Sequence, residues 1–168
     1  MPLSLQSKVY WVLIGTNDFL YNKTLTKLCS DEVVLMGILR VIEELRMLRP
    51  NSILVVNGLL PRSGQYETGR LYSPSERMAG QQNVWEAVKI VNSKLREYCE
   101  LRQSQKFNIV YFDASDVFVR KDNEGNEYIP KNLMDDFLHP TAEGYQAWGE
   151  RIADKLRELI KGNETEGS

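Results

Sequence analysis

The chain has 168 residues, of which 42% are hydrophobic and 26% charged, with a formal net charge of -2. These values are typical of a single globular domain and exclude a disordered, collagen-like or fibrous chain. Because 21 basic residues are balanced by 23 acidic ones, no excess of positive charge is left for phosphates. We therefore expect neither nucleic acid nor an anionic membrane as a partner.

The cysteine and histidine content limits the kinds of site that the chain can form. Cys29 and Cys99 form no CxxC pair, so we expect both thiols to be reduced. His139 is the only histidine, and a structural zinc site is not expected. No segment approaches the roughly 18 consecutive apolar residues of a transmembrane helix. The amino terminus also lacks the residue order of a signal peptide, so we expect a cytoplasmic protein without a membrane span.

The first predicted strand covers residues 9–14 (VYWVLI), which are apolar at every position. This pattern is typical of a strand that is buried on both faces of a parallel sheet. A helix is predicted over residues 31–48, capped by Ser30 and stopped by Pro50. Its expected buried stripe consists of Val34, Leu35, Ile38, Val41, Ile42 and Leu45.

The middle of the chain continues this alternation of strands and helices. Residues 53–56 (ILVV) are predicted as a second buried strand, and residues 63–74 as a loop without apolar periodicity. A long helix is expected from about residue 76 or 82 to residue 102. Its inward face is predicted to carry Val84, Val88, Val91 and Leu95.

The last third of the chain holds a third strand, a polar turn and a final helix. The strand covers residues 109–112 (IVYF), and the turn covers residues 122–127. This turn only superficially resembles a calcium loop, because it lacks the twelve-residue ligand spacing. The helix is predicted over residues 141–160 and ends at Gly162, so that residues 163–168 fray. Its inward residues are expected to be Tyr145, Trp148, Ile152, Leu156 and either Leu159 or Ile160.

The order strand, helix, strand, helix, strand, helix predicts an α/β fold with a parallel sheet. Ligands of such sheets bind beyond the carboxyl ends of the strands. Chemistry is therefore expected in the segments that follow the three predicted strands.

Asp136 and His139 lie three residues apart, just before the last predicted helix. A carboxylate at this spacing can accept the Nδ1 proton of the imidazole and leave Nε2 as a base. The alternative is that Asp136 caps a turn and that His139 only fills the start of the helix.

Two further polar residues follow the predicted strands. The amide of Asn17, after the first strand, can donate to an oxyanion that develops on an attacked carbonyl. The alternative is that this asparagine only satisfies the turn. Arg62, after the second strand, can meet an anionic group of a substrate or pair with a surface carboxylate.

Together, the segments Gly-Thr-Asn-Asp at 15–18, Leu-Leu-Pro-Arg at 59–62 and Asp-Phe-Leu-His-Pro-Thr at 136–141, with Gly144-Tyr145, resemble the SGNH (GDSL) hydrolase superfamily. The combination is most similar to the branch that contains the catalytic subunits of platelet-activating factor acetylhydrolase. The match covers nearly the whole chain, so the resemblance implies one domain over residues 1–168. The implied fold is the three-layer α/β/α, flavodoxin-like fold of the family.

The resemblance also implies a role for each matching residue. Asn17 matches the asparagine of the oxyanion hole, His139 matches the general base, and Asp136 matches the carboxylate that orients it. Enzymes of this family cleave esters through an acyl-serine intermediate and use no metal or organic cofactor. The substrate is then expected to be a small ester, such as an acyl ester of a lipid or a sugar.

The sequence departs from the family pattern at the nucleophile, because no Gly-Asp-Ser segment occurs in the chain. The sequence is similar to the carboxyl-terminal part of the family fold, from the family's third strand onward, without the first two strands. Ser63 and Ser115 are weaker candidates for a substitute nucleophile, with ordinary turn residues as the alternative. We therefore expect an ester hydrolase domain that is inactive unless another chain or a longer gene product supplies the serine.

A second hypothesis is a non-catalytic subunit that acts in protein assembly. Under either hypothesis, the strand at residues 9–14 has an apolar edge that lacks its family neighbour, which makes it prone to pairing. We expect a second copy, a partner chain or the amino-terminal segment to cover this edge.

Overall fold

The computed structural model describes residues 8–19, 30–63, 69–71 and 84–165, with only the backbone described for residues 162–165. The chain divides into two compact units. The first consists of Met1–Leu60 and Tyr72–Ser115, and the second of Pro61–Leu71 and Asp116–Ser168. That residues 1–168 form a single domain stays a prediction.

The first unit contains a three-stranded parallel sheet. Its strands are β1 (Val9–Val12), β2 (Ile53–Asn57) and β3 (Ile109–Phe112), in the order β1-β2-β3. All residues of β2 are buried, because this strand pairs on both edges. The predicted α/β fold with a parallel sheet is thereby confirmed.

The sheet of the first unit is accompanied by helices α1 (Asp31–Leu48) and α2 (Val84–Ser104). As predicted, Ser30 caps α1: its Oγ accepts a hydrogen bond from the backbone N–H of Val33 at 3.4 Å. The buried residues of the two helices include Val34, Ile38 and Ile42 of α1, and Val88, Val91 and Leu95 of α2. The prediction for Val41 was wrong, since it lies at the margin of the buried stripe and is 38% exposed.

A network of charged and polar side chains joins α1 to α2. Glu43 on α1 accepts hydrogen bonds from the hydroxyl of Tyr98 and from Arg102 at 2.7 Å, and it also pairs with Arg46 at 2.5 Å. Desolvation of the Glu43 carboxyl raises its pKa, but these three donors outweigh that effect and leave the pKa below the usual value.

The second unit contains a short hairpin and a long helix. After the single-turn helix α3 (Ser115–Phe118), strands β4 (Arg120–Lys121) and β5 (Glu127–Tyr128) pair in antiparallel fashion. Helix α4 then runs over Ala142–Thr165.

The polar turn predicted at residues 122–127 connects β4 and β5. One carboxylate oxygen of Asp122 accepts the N–H groups of Glu124 and Asn126, both at 2.9 Å. The carboxylate of Asp122 therefore stabilises the turn in which it lies.

Several predicted boundaries differ from the structure. Strand β1 ends at Val12, which pairs with Val56, and the chain then leaves the ladder, so that Ile14 is 38% exposed. Helix α4 continues through Gly162 to Thr165, which shows that this glycine does not end it. The predicted helical residues before Val84 and part of the predicted loop lie outside the described residues, as do residues 166–168.

One prediction for the inward face of α4 was also wrong, and one of its two alternatives was excluded. Tyr145 is 55% exposed, because its ring stacks beside that of Trp148 instead of packing inward. Ile160 is exposed as well, whereas Leu159 is half-buried.

Candidate functional site

The turn after β1 carries the first of the predicted site residues. Gly15 has a φ of +105°, and a Cβ atom there would lie 2.7 Å from the side chain of Ile38 on α1. Only glycine therefore allows the chain to turn so closely over this helix. The following 3-10 turn, Thr16–Phe19, buries Phe19 and leaves Asn17 exposed. Asn17 thus follows the carboxyl end of β1, as predicted, while its role stays a prediction.

The segment after β2 is held by hydrogen bonds to buried amides. Trp11 Nε1 donates to Asn57 Oδ1 at 2.9 Å. On α2, Asn92 accepts the N–H of Leu59 at 2.7 Å and donates to the carbonyl of Leu59 at 2.9 Å. This double pairing satisfies both backbone groups of Leu59 in a buried place, where unpaired groups would be costly.

The structure brings Asp136 and His139 into direct contact. Nδ1 of His139 lies 2.6 Å from Oδ2 of Asp136. The other carboxylate oxygen accepts the N–H groups of His139 at 2.7 Å and of Leu138 at 2.9 Å. The predicted hydrogen bond is therefore present, and the carboxylate caps the turn at the same time.

The hydrogen bonds around Asp136 determine its charge. Desolvation raises the pKa of this carboxyl, but the hydrogen bonds from the side chain and backbone of His139 and from Leu138 lower it to about 2. An ionised carboxylate can only accept hydrogen bonds. Nδ1 of His139 must then carry the proton, which places the lone pair of the neutral imidazole on Nε2.

No residue in the described part of the chain forms a hydrogen bond with Nε2 of His139, whose side chain is 71% exposed. The imidazole is therefore held at Nδ1, while most of the His139 side chain is exposed. This arrangement can remove a proton from a group that approaches Nε2.

The turn that holds this pair depends on Phe137, between Asp136 and His139. Phe137 is buried and has a φ of +57°, an uncommon conformation for a residue with a side chain. Its carbonyl accepts the N–H of Ser63 at 3.1 Å. The ring lies against Gly69, where a Cβ atom would collide with it and would lie 2.7 Å from the carbonyl of Ile129.

Residues 69–71 run beside β5 and complete this support. The carbonyl of Gly69 accepts the N–H of Ile129, and the N–H of Leu71 donates to the carbonyl of Glu127, both at 2.9 Å. Sequence reasoning missed Gly69 and Phe137 as supporting residues. A glycine within a stretch without apolar periodicity was the only available signal.

The start of α4 is fixed directly after the histidine. Thr141 Oγ1 donates to the carbonyl of Asn132 at 2.5 Å and accepts the N–H of Gly144 at 3.2 Å. A Cβ atom at Gly144 would collide with the carbonyl of Leu133. The helix therefore begins in close contact with the turn that precedes His139.

Of the two substitute nucleophiles considered from the sequence, only Ser63 has a hydroxyl with a hydrogen bond recorded in the described structure. The hydroxyl of Ser63 is buried and donates to the carbonyl of Arg70 at 3.1 Å. Ser115 begins α3, where its N–H donates to Asp113 Oδ1 at 2.8 Å. Arg62 is buried, and both partners considered for it from the sequence stay predictions.

The structure places the three predicted site residues in different units. Asp136 and His139 belong to the second unit, and Asn17 belongs to the first. Across the described ranges, no group of three or more His, Cys, Asp or Glu residues could hold a metal ion. Cys99 is a free, buried thiol, and Cys29 lies outside the described residues.

Comparison with solved structures finds several proteins with similar folds. A protein from Streptococcus pneumonia described as a candidate platelet activating factor is 21% identical, with a TM-score of 0.62 over 89% of this chain. A carbohydrate esterase family 3 protein from Talaromyces cellulolyticus and a mutant acetyl esterase with an acetate ion are each 18% identical, with TM-scores of 0.60 over 92% of this chain. The chain spans 59% of the length of each of these proteins.

The family assignment comes from the sequence match. No curated protein matches the chain significantly. The model of the GDSL-like lipase/acylhydrolase family matches residues 3–152, which is most of the chain and includes every predicted site residue. The family resemblance inferred from the three sequence segments is thereby confirmed: the chain belongs to the GDSL-like lipase/acylhydrolase family.

Proposed function

We propose that this chain acts in the hydrolysis of ester bonds as the part of a serine hydrolase that carries the base and one oxyanion donor. His139 is the general base, Asp136 orients it, and Asn17 donates to the oxyanion. The observation that carries the proposal is the 2.6 Å contact between Nδ1 of His139 and Oδ2 of Asp136, on a histidine whose side chain is 71% exposed. The nucleophilic serine comes from polypeptide outside this sequence.

The chemistry follows from the charge state of the pair. The ionised Asp136 holds the proton on Nδ1, so Nε2 of His139 takes the proton of the serine hydroxyl as its oxygen attacks the ester carbonyl. The same Nε2–H then protonates the leaving alkoxide, and an acyl-enzyme remains. In the second half of the reaction, water takes the place of the serine hydroxyl and the same proton transfers occur. The carboxylate of Asp136 stabilises the imidazolium in both halves of the reaction.

Asn17 supports the proposal by its exposed amide in the turn after β1. An amide N–H aimed at a developing oxyanion contributes about 3 kcal/mol in other hydrolases. No metal or organic cofactor enters the proposed reaction.

The serines of this chain support the proposal that the nucleophile comes from other polypeptide. No Gly-Asp-Ser segment is present in the sequence. The hydroxyl of Ser63 is buried and already donates to a backbone carbonyl, whereas a nucleophile must be accessible to substrate. We therefore propose that the chain alone is inactive.

The proposal also includes a substrate class and a kind of partner. We propose a small acyl ester of a lipid or sugar as the substrate, and a second copy or a partner chain on the edge of β1 that pairs with no strand among the described residues. Among the described residues, no helix combines the length and apolar character needed to cross a membrane. A cytoplasmic location stays a prediction.

The first test uses the purified chain with p-nitrophenyl acetate and a fluorophosphonate probe. We expect no serine to be labelled, and no hydrolysis beyond that of the His139→Ala variant. A fluorophosphonate adduct on any serine, found by peptide mass spectrometry, would show that the nucleophile lies within this chain.

The second test extends the chain with the coding sequence immediately upstream. If an apolar strand followed by Gly-Asp-Ser is in frame there, we expect the extended protein to hydrolyse the ester. The His139→Ala substitution should then lower kcat by roughly 1,000-fold or more. An extended protein that carries the serine and stays inactive would favour the non-catalytic assembly subunit instead.

A further inference from the structure

Helix α1 carries a second apolar face on the side that is turned away from its buried residues. Four large apolar side chains are exposed along it, namely Val33 (56%), Met36 (70%), Met47 (70%) and Leu48 (66%), whereas Val41 (38%) lies at the margin of the buried stripe. Single exposed apolar residues are common on protein surfaces, but two apolar pairs on one side of a helix favour an interaction surface.

The helical repeat places most of these residues on one side of α1. Successive residues of an α-helix are about 100° apart around its axis. Relative to a line that runs along α1 between Arg40 and Glu44, four apolar residues lie within about 60°: Val33, Met36, Met47 and Leu48. The buried residues Val34, Ile38 and Ile42 lie on the opposite side. We call the exposed side, from Val33 to Leu48, the outer face of α1.

The centre of the outer face is a self-complementary ion pair. Arg40 and Glu44 are joined at 2.8 Å, and their side chains are 75% and 49% exposed. When two such helices lie antiparallel with a two-fold axis level with Ile42, Arg40 of each copy faces Glu44 of the other. The two ion pairs then form a ring of alternating charges, which favours this register over a parallel one.

The same axis matches the apolar parts of the outer face. It sets Met36 of one copy opposite Leu48 of the second copy, and Gly37 opposite Met47. Nothing lies within 4 Å of the position that a Cβ atom would take at Gly37, so this glycine forms a recess on the helix surface. Methionine is flexible and polarisable and can fill such a recess.

We propose that the outer face of α1 binds the outer face of a second copy of this chain, as an antiparallel helix pair centred between Arg40 and Glu44. One pair of 18-residue helices is about 27 Å long. It buries less surface than a standard interface, so the dimer should be weak and should depend on concentration. This surface is distinct from the edge of β1 and does not require the proposed catalytic role.

The first experiment measures sedimentation velocity of the chain from about 1 to about 200 µM, a range that covers weak association. We expect the wild type to shift from monomer to dimer, and the variant Met36→Glu/Met47→Glu to remain monomeric across the same range. The control is Ile90→Glu, an apolar position on α2 that is also exposed (48%), which should dimerise like the wild type. A wild-type chain that stays monomeric at every concentration would overturn the proposal, whether the face is bare or binds another protein.

The second experiment tests the register with the variants Arg40→Glu and Glu44→Arg. Each variant alone should dimerise at least about tenfold more weakly, because like charges then meet at the axis. A mixture of the two should recover dimerisation, since one copy presents only acidic groups there and the other only basic groups. Circular dichroism of each variant checks that α1 is folded. If the mixture associates no better than its components, the antiparallel register is wrong.

Discussion

At the scale of single residues, the Asp136–His139 pair depends on side chains that lie far from it in the sequence. The spacing of the two residues was sufficient to predict their hydrogen bond, which the structure confirms at 2.6 Å. It could not predict that Phe137 adopts a positive φ, or that Gly69 makes room for its ring. Such requirements come from contacts between distant segments, and the sequence pattern of neither segment reports them.

The orientation of the imidazole gives the first prediction. In the wild type, we expect the neutral ring of His139 to carry its proton on Nδ1, because the ionised Asp136 accepts it. The variant Asp136→Ala should show a larger fraction of the form protonated on Nε2. Long-range ¹H–¹⁵N correlation spectra measure this directly, and they contain one imidazole because the chain has one histidine.

The control for this experiment is Asp154→Ala, which removes an exposed carboxylate that pairs with Arg157 on α4. Its spectrum should match that of the wild type. If Asp136→Ala leaves the ratio of the two forms unchanged, the carboxylate does not set the tautomer.

The contact between Gly69 and Phe137 gives the second prediction. Gly69→Ala should lower the free energy of unfolding by about 2–4 kcal/mol, because the new methyl group strains the backbone at φ +64° and also collides with the buried ring. The matched control is Gly125→Ala, where φ is +85° but nothing lies within 4 Å. That variant should lose only about 1–2 kcal/mol. Urea unfolding of both measures the difference, and equal losses would mean that the ring contact contributes nothing.

At the scale of elements, regular patterns were predicted well and short pairings were not. The bounds of α1 and β3 agree with the prediction, since a capped amphipathic helix and an apolar run are local signals. The hairpin of β4 and β5 has only two residues in each strand, which is too short for a period to be visible. Its pairing is instead specified by the turn at Asp122 and by contacts with residues 69–71.

Helix α4 offers an element-scale prediction through two of its glycines. Gly144→Ala should lower the free energy of unfolding by about 1–3 kcal/mol, because the methyl group meets the carbonyl of Leu133 and lies 3.2 Å from the ring of Phe118. Gly149→Ala, in the same helix with nothing within 4 Å, should raise it by about 0.5–1 kcal/mol. Thermal and urea unfolding of the two variants should therefore shift in opposite directions. Shifts of the same sign would contradict the close approach at Gly144.

At the scale of the whole molecule, three short segments were sufficient to predict the family. They were not sufficient to predict every residue that the proposed reaction needs. The segments after β1 and β2 and before α4 each carry one part of the resemblance. None of them contains the Gly-Asp-Ser segment of the family's nucleophile, which occurs nowhere in this sequence. The catalytic proposal therefore depends on a serine that another polypeptide segment supplies, and it is tested with the extended chain.

The pH dependence of global stability provides the last prediction, which concerns Cys99. Burial, and to a lesser extent the charge of Glu100, raises the pKa of this thiol from 9.0 to about 12. The native state thus disfavours the thiolate, while the unfolded chain ionises near the ordinary pKa. The contribution of Cys99 to stability is complete below pH 9 and is lost as the pH rises from 9 to 12.

We therefore expect the free energy of unfolding of the wild type to fall more steeply over this interval than that of Cys99→Ala. The control is Val88→Ala, a deletion at another fully buried position of α2. It should lower stability at every pH without changing the slope, because it removes no titrating group. Urea midpoints measured at several pH values give the three slopes. A Cys99→Ala slope equal to that of the wild type would show that this thiol ionises equally in the folded and unfolded states.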